Sequence, residues 1–226
     1  MLMRKIYVMV IVWLACVNLA VFGQEYEIEA LTVTRAIQLV AESEDGATNL
    51  ILPHVSSIDA TTAKELAKAT HAGLILNGLS SIDEDTAHEL AQFSGFVLAL
   101  NGLTSVSPRV AQKLSAFEGR ALVLNGLTAV NKNSVAELTE FKGYALFLDG
   151  LEKIDKEVAE VLATFGGECL GLNGIRTIDE EVMRILVQWR GKKLSICEEA
   201  LTTKASDVME RSERSWERVG DVWASF

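Results

Sequence analysis

Between Leu50 and Cys197 the apolar and polar positions repeat every 24 residues, with no insertion. Leu74-Ile75-Leu76-Asn77-Gly78-Leu79 is followed by Leu98-Ala99-Leu100-Asn101-Gly102-Leu103 and Leu122-Val123-Leu124-Asn125-Gly126-Leu127. Leu146-Phe147-Leu148-Asp149-Gly150-Leu151 and Leu170-Gly171-Leu172-Asn173-Gly174-Ile175 complete the series. Leucines at alternate positions predict a short strand with one leucine face. Asn-Gly or Asp-Gly then predicts a sharp turn, because both residues tolerate positive φ. A second apolar anchor follows, at Ile58, Ile82, Val106, Val130, Ile154 and Ile178. Directly after it stands a helix-capping type: Asp59, Asp83, Ser107, Asn131, Asp155 or Asp179. Pro108, next to Ser107, suits a first helical position. The helix carries one apolar stripe, as in Ala111, Leu114 and Phe117, and the aromatic recurs at Phe93, Phe141, Phe165 and Trp189. Gly95, Gly119, Gly143, Gly167 and Gly191 follow two residues later, where a helix C-terminus favours glycine.

A single unit of strand, turn, capped helix and glycine cannot bury its stripe alone, so the units must stack. The fold class predicted is α/β, a solenoid with a parallel sheet on the concave side and helices on the convex side. Strands pack closer (~4.8 Å) than helices (8–10 Å), so such a stack curves with the sheet inside. These residues resemble the leucine-rich repeat, in a bacterial 24-residue form with a helix on the convex side. Leu98, Leu100 and Val106 match its consensus apolar positions, and the resemblance covers roughly residues 50–197. One departure matters. The family's buried asparagine stands three residues after the second leucine, where this chain has Leu103. Its asparagine, Asn101, follows the leucine immediately, so the family's asparagine ladder is not carried over.

The ends differ from the middle, as terminal repeats must. Residues 1–23 read as an export signal: Arg4 and Lys5 precede an uncharged run from Ile6 to Phe22, and Gly23 offers a cleavage site. The alternatives are an uncleaved anchor, since 17 residues is at the lower limit for a span, and lipidation at Cys16. Residues 24–49 form an N-terminal cap with a helix over 34–41, and 50–197 the solenoid. Within 198–226, Leu201, Val208, Met209, Trp216, Val219, Trp223 and Phe226 follow at broadly helical spacing, predicting an amphipathic capping helix. Its alternative role is docking to another subunit or a membrane surface.

The net charge of −10, two units more negative without Arg4 and Lys5, argues against nucleic acid and anionic membranes as partners. Any membrane contact would run through the N-terminal segment if it is uncleaved. Cys169 and Cys197 are predicted as free thiols. Their positions in neighbouring units are offset by four residues, ~13 Å along a strand, beyond the ~7 Å Cα reach of a disulfide.

His54, His71 and His88 occupy different repeat positions, and no cluster has metal-ligand spacing. The aspartates 59, 83, 155 and 179 are explained as N-caps. No nucleophile–base pair or phosphate loop is legible, so neither enzyme activity nor a cofactor is expected. The remaining candidate is the sheet face that alternation turns away from the leucines. It carries Ile75, Ala99, Val123 and Phe147, flanked by Val97, Ala121, Ala145, Cys169 and Gly171, with Asn101, Asn125, Asp149 and Asn173 along one edge. Tight curvature alone would call for small residues there. A contiguous apolar patch also marks interaction sites, with Phe147 and Asp149 as its contact point. The function expected is an exported, non-enzymatic protein-interaction module, a scaffold or adaptor at the cell envelope, in the periplasm or outside the cell. The alternative is a structural envelope protein that self-associates without a distinct ligand.

Overall fold

The computed structural model describes residues 30–42, 46–212, 216–219 and 222–225, so the expected export signal with Cys16 lies outside them. Helix α1 (Val33–Glu42) precedes strand β1 (Gly46–Ile51), and strands and helices then alternate. They are α2 (Ala60–Leu66), β2 (His71–Ile75), α3 (Glu84–Leu90), β3 (Val97–Ala99), α4 (Pro108–Ser115) and β4 (Ala121–Val123). There follow α5 (Lys132–Thr139), β5 (Ala145–Phe147), α6 (Lys156–Leu162), β6 (Cys169–Leu172), α7 (Glu180–Leu186) and β7 (Lys193–Cys197). Strands β1 to β7 pair parallel in chain order. Leu74, Leu98, Leu122, Leu146, Leu170 and Leu194 stand side by side, one per strand. The sequence period is thus the sheet register, and the chain is a repeat-like α/β stack.

All six predicted N-caps form. Asp59, Asp83, Ser107, Asn131, Asp155 and Asp179 each accept a hydrogen bond from the backbone N–H three residues on, at 2.7–3.2 Å. Thr62, through its side chain and then its backbone N–H, holds the Asp59 carboxyl below its ordinary range.

The helices are shorter than the stripe that predicts them. Helix α4 ends at Ser115, and Phe117 lies beyond it, its N–H donated to Leu114 O at 3.1 Å. That tight closing turn swings the ring under the helix. Rings from five successive units then stack: Phe93, Phe117, Phe141, Phe165 and Trp189 lie 6.1–6.4 Å apart with planes within 11°. The Trp189 indole N–H is satisfied by Phe165 O at 2.7 Å.

This stack sets the glycine two residues on. A Cβ at Gly119 would collide with the Phe117 ring, and helix α4 is capped instead by Ala116 in ordinary αR conformation. The turn glycines are also steric rather than left-handed: a Cβ at Gly126 would strike the Asn101 carbonyl of the unit before. The expectations of a glycine C-cap and of a positive-φ turn are corrected on both counts. Glycine is needed because neighbouring units lie so close.

Leu98, Leu100 and Leu103 meet Ala111, Leu114 and Phe117 between the layers, each 0–1% exposed, and every middle unit repeats this core. The free thiols of Cys169 and Cys197 agree with their offset register.

The C-terminal capping helix is the main correction. After a 3₁₀ turn (Glu198–Ala200), helix α8 spans only Thr203–Glu210, capped by Thr202 and burying Ala205 and Met209. Strands β8 (Trp216–Val219) and β9 (Val222–Ser225) follow, in the sheet order β7-β9-β8 with both pairings antiparallel. An open β7 edge would leave a row of unpaired backbone groups, and pairing satisfies them. Trp-Glu-Arg-Val and Val-Trp-Ala-Ser are also short aromatic and β-branched runs separated by Gly-Asp, a hairpin signal that outweighs loose helical spacing.

Candidate functional site

Pairing arranges the sheet's second face, away from the helices, in rows one residue wide. Gly73, Val97, Ala121, Ala145, Cys169 and Lys193 form one row. Ile75, Ala99, Val123, Phe147, Gly171 and Ser195 form the next. Ile75, Val97, Ala99, Ala121, Val123, Ala145, Phe147 and Cys169 make a second apolar cluster, separate from the core under the helices and built only of strand residues. The sequence reading therefore places Ile75, Ala99, Val123 and Phe147 on the correct face and next to one another. Its expectation of an open surface is not met. Val97, Ala99, Ala121, Val123 and Ala145 are at most 1% exposed, Ile75 4% and Phe147 7%. All-parallel sheets are characteristically covered on both faces, and their strands read as nearly continuous apolar runs.

Phe147 and Asp149, the two departures from small and neutral, are accommodated by one neighbour. A Cβ at Gly171 would come within 2.6 Å of the Phe147 ring and 2.8 Å of Asp149 Oδ1. The glycine in Leu170-Gly171-Leu172 is thus the cavity into which the previous unit's larger side chains lean.

Asn101, Asn125, Asp149 and Asn173 are not a free amide edge. Asn77 Oδ1 accepts the Asn101 N–H (3.3 Å), Asn101 Oδ1 the Asn125 N–H (3.0 Å), and Asn125 Oδ1 the Asp149 N–H (3.0 Å). Asp149 Oδ1 accepts both the backbone N–H (2.9 Å) and the Nδ2 (2.8 Å) of Asn173. The chain therefore has an asparagine ladder of its own, displaced from the family's position, and these side chains hold unit to unit. Burial raises the Asp149 carboxyl above its ordinary range, against the lowering effect of the Asn173 hydrogen bonds. Burial likewise pushes the Cys169 thiol up to about 12.

Two polar groups at the β1–β2 end of the face escaped the sequence reading. The Asn49 side chain lies over Gly73, and among the described residues neither Asn49 Oδ1 nor the Nδ1 of buried His71 has a hydrogen-bond partner. Strand β2 is longer than β3, which brings His71 into the sheet at a position the repeat does not mark.

Just before the strands runs an exposed rim: Phe96 is 53% exposed, Tyr144 38%, and the Arg120 guanidinium sits 5.7 Å above the Tyr144 ring. Among the described residues no group of three or more His, Cys, Asp or Glu could hold a metal. No helix among them is long and apolar enough to cross a membrane. No family model and no curated protein matches this chain.

Proposed function

We propose that the chain is a leucine-rich-repeat-like interaction module, non-enzymatic and exported, acting as a scaffold or adaptor at the cell envelope. The observation that carries this reading is the exposed rim of Phe96, Arg120 and Tyr144 just before the strands of the second apolar cluster. Eight uncharged side chains form a continuous strip across five strands, and no helix of the described fold contributes to it. Aromatic and arginine side chains are enriched in protein-recognition patches, and the rim supplies both in the open.

The test is affinity capture from a native envelope fraction with the wild-type chain and with Phe96→Ala and Arg120→Ala, each checked for unchanged circular dichroism. Loss of the same captured proteins from both variants supports the reading. Identical capture by all three refutes it. Light scattering on the same samples separates the module from a self-associating structural protein, which would lose its higher mass in the variants.

A further inference from the structure

We infer that Asn173-Gly174 is a self-modifying site, at which the Asn173 carboxamide closes on the Gly174 nitrogen and loses ammonia. Water then opens the ring to aspartate or isoaspartate. Asp149 supplies the proton to the leaving nitrogen.

Four units carry the same Asn-Gly pair, at Asn77, Asn101, Asn125 and Asn173. Asparagine is a thermolabile residue, and a following glycine has no side chain to shield the nitrogen that attacks it. Closure requires the carboxamide to leave its place and turn its carbon toward that nitrogen. In three of the units the ladder opposes this swing. Asn77, Asn101 and Asn125 each accept, through Oδ1, the backbone N–H one unit along, at 3.3, 3.0 and 3.0 Å. Swinging away breaks that bond and strands a part-buried donor, so these carboxamides are held.

Asn173 is the last asparagine of the ladder, and three features set it apart. Its Oδ1 is buried and has no hydrogen-bond partner among the described residues. The residue one unit along is Cys197, which pairs with Val222 of β9. Its turn is also the most loosely closed. The Ile175 N–H lies 3.5 Å from Leu172 O, against 3.1–3.3 Å for the matching bond at Leu79, Leu103, Leu127 and Leu151. Finally Nδ2, the atom that must leave, lies 2.8 Å from Oδ1 of Asp149, the one acid in the ladder.

An amide nitrogen leaves readily only when it is protonated, and a carboxylic acid in hydrogen-bond contact with it is a general acid in position. Burial raises the Asp149 carboxyl above its ordinary range, which favours the acid form. The Gly174 N–Cγ bond forms, the Cγ–Nδ2 bond breaks, and the nitrogen departs as ammonia. Asp149 gives it a proton and regains from solvent the one that Gly174 loses. Water then adds to either carbonyl of the cyclic imide. Aspartate at 173 sets a second carboxyl against Asp149, and isoaspartate adds a carbon to the backbone of the turn. Either product weakens the joint between this turn and the unit before it.

The test is prolonged warm incubation of the full chain at neutral pH, with peptide mapping of all four pairs. Asn173 is expected to convert about fivefold or more faster than Asn77, Asn101 and Asn125, the factor that one anchoring hydrogen bond supplies. In urea, where the ladder is lost, the four rates are expected to converge. Asp149→Asn keeps an acceptor for Asn173 but has no proton to give. With unchanged circular dichroism, it should slow conversion at Asn173 about tenfold or more. Conversion of Asn173 no faster than that of the other three in the folded chain overturns the site. An Asn173 rate unaltered by Asp149→Asn overturns the proton donor and the inference with it.

Discussion

Truncating one ring in the middle of the aromatic stack tests how the units hold together. Phe141 is 1% exposed and lies between Phe117 and Phe165, with centroids 6.1 and 6.4 Å away and planes 2° and 5° off parallel. Replacing a fully buried phenylalanine by alanine costs ~3–5 kcal/mol, through lost burial plus the cavity left behind. Each ring contact adds ~0.5–1.5 kcal/mol beyond area, and Phe141 makes two. Phe93 ends the stack with one stacked neighbour, Phe117, so Phe93→Ala should cost less than Phe141→Ala by about one contact, ~0.5–1.5 kcal/mol. Urea denaturation followed by far-ultraviolet circular dichroism measures both. The double variant Phe117→Ala/Phe141→Ala completes a cycle whose coupling should fall in the same ~0.5–1.5 kcal/mol range. Equal costs for Phe93→Ala and Phe141→Ala, with no measurable coupling, would show that the rings contribute bulk burial alone.

The ladder predicts that Asn125→Ala, which leaves the Asp149 N–H without its 3.0 Å acceptor, costs ~1–3 kcal/mol by the same denaturation assay. Asp149→Asn should raise the melting temperature at pH 7. A carboxyl whose folded pKa is raised contributes stability below its unfolded value and loses it as pH rises through the folded one, so the advantage of asparagine should vanish below about pH 3.8. A wild-type chain that is the more stable at pH 7 would contradict this. Gly126→Ala should cost ~1–3 kcal/mol because its Cβ meets the backbone carbonyl of Asn101, whereas Gly166→Ala, with open space around it, should be neutral or gain up to ~1 kcal/mol. In the native chain at pH 8 the Cys169 thiol, buried and pushed up to about 12, should resist iodoacetamide while half-buried Cys197 reacts, as mass mapping would record.

The repeat was legible because nothing interrupts it: one leucine row and one capping row are enough to place strands, helices and register. Interactions that run between equivalent positions were harder to see. The ladder depends on the Asn101 side chain reaching the backbone one unit along, and period alone does not show which way a carboxamide leans. The glycines were visible as regular spacings within the chain, but their cause was a neighbouring carbonyl or ring rather than their own φ. Alternation assigned Ile75, Ala99, Val123 and Phe147 to a face without saying whether water reached it. The hint was present in Val97-Leu98-Ala99-Leu100 and Ala145-Leu146-Phe147-Leu148, which are apolar at every position rather than every other one. At the C-terminus, Trp216, Val219 and Trp223 fit a helical spacing loosely, and the need of β7 for a partner decided otherwise.

A row of identical rungs has no internal reason to stop, and any molecule built this way risks adding further molecules end to end. The β9–β8 hairpin supplies a terminus. A second molecule offering its β1 there would meet β8, which runs with β1–β7 but belongs to no 24-residue unit, and Asn173 has no counterpart asparagine beyond it, only Cys197. Head-to-tail polymers are thereby denied a matching surface, and the number of rungs is set within one polypeptide.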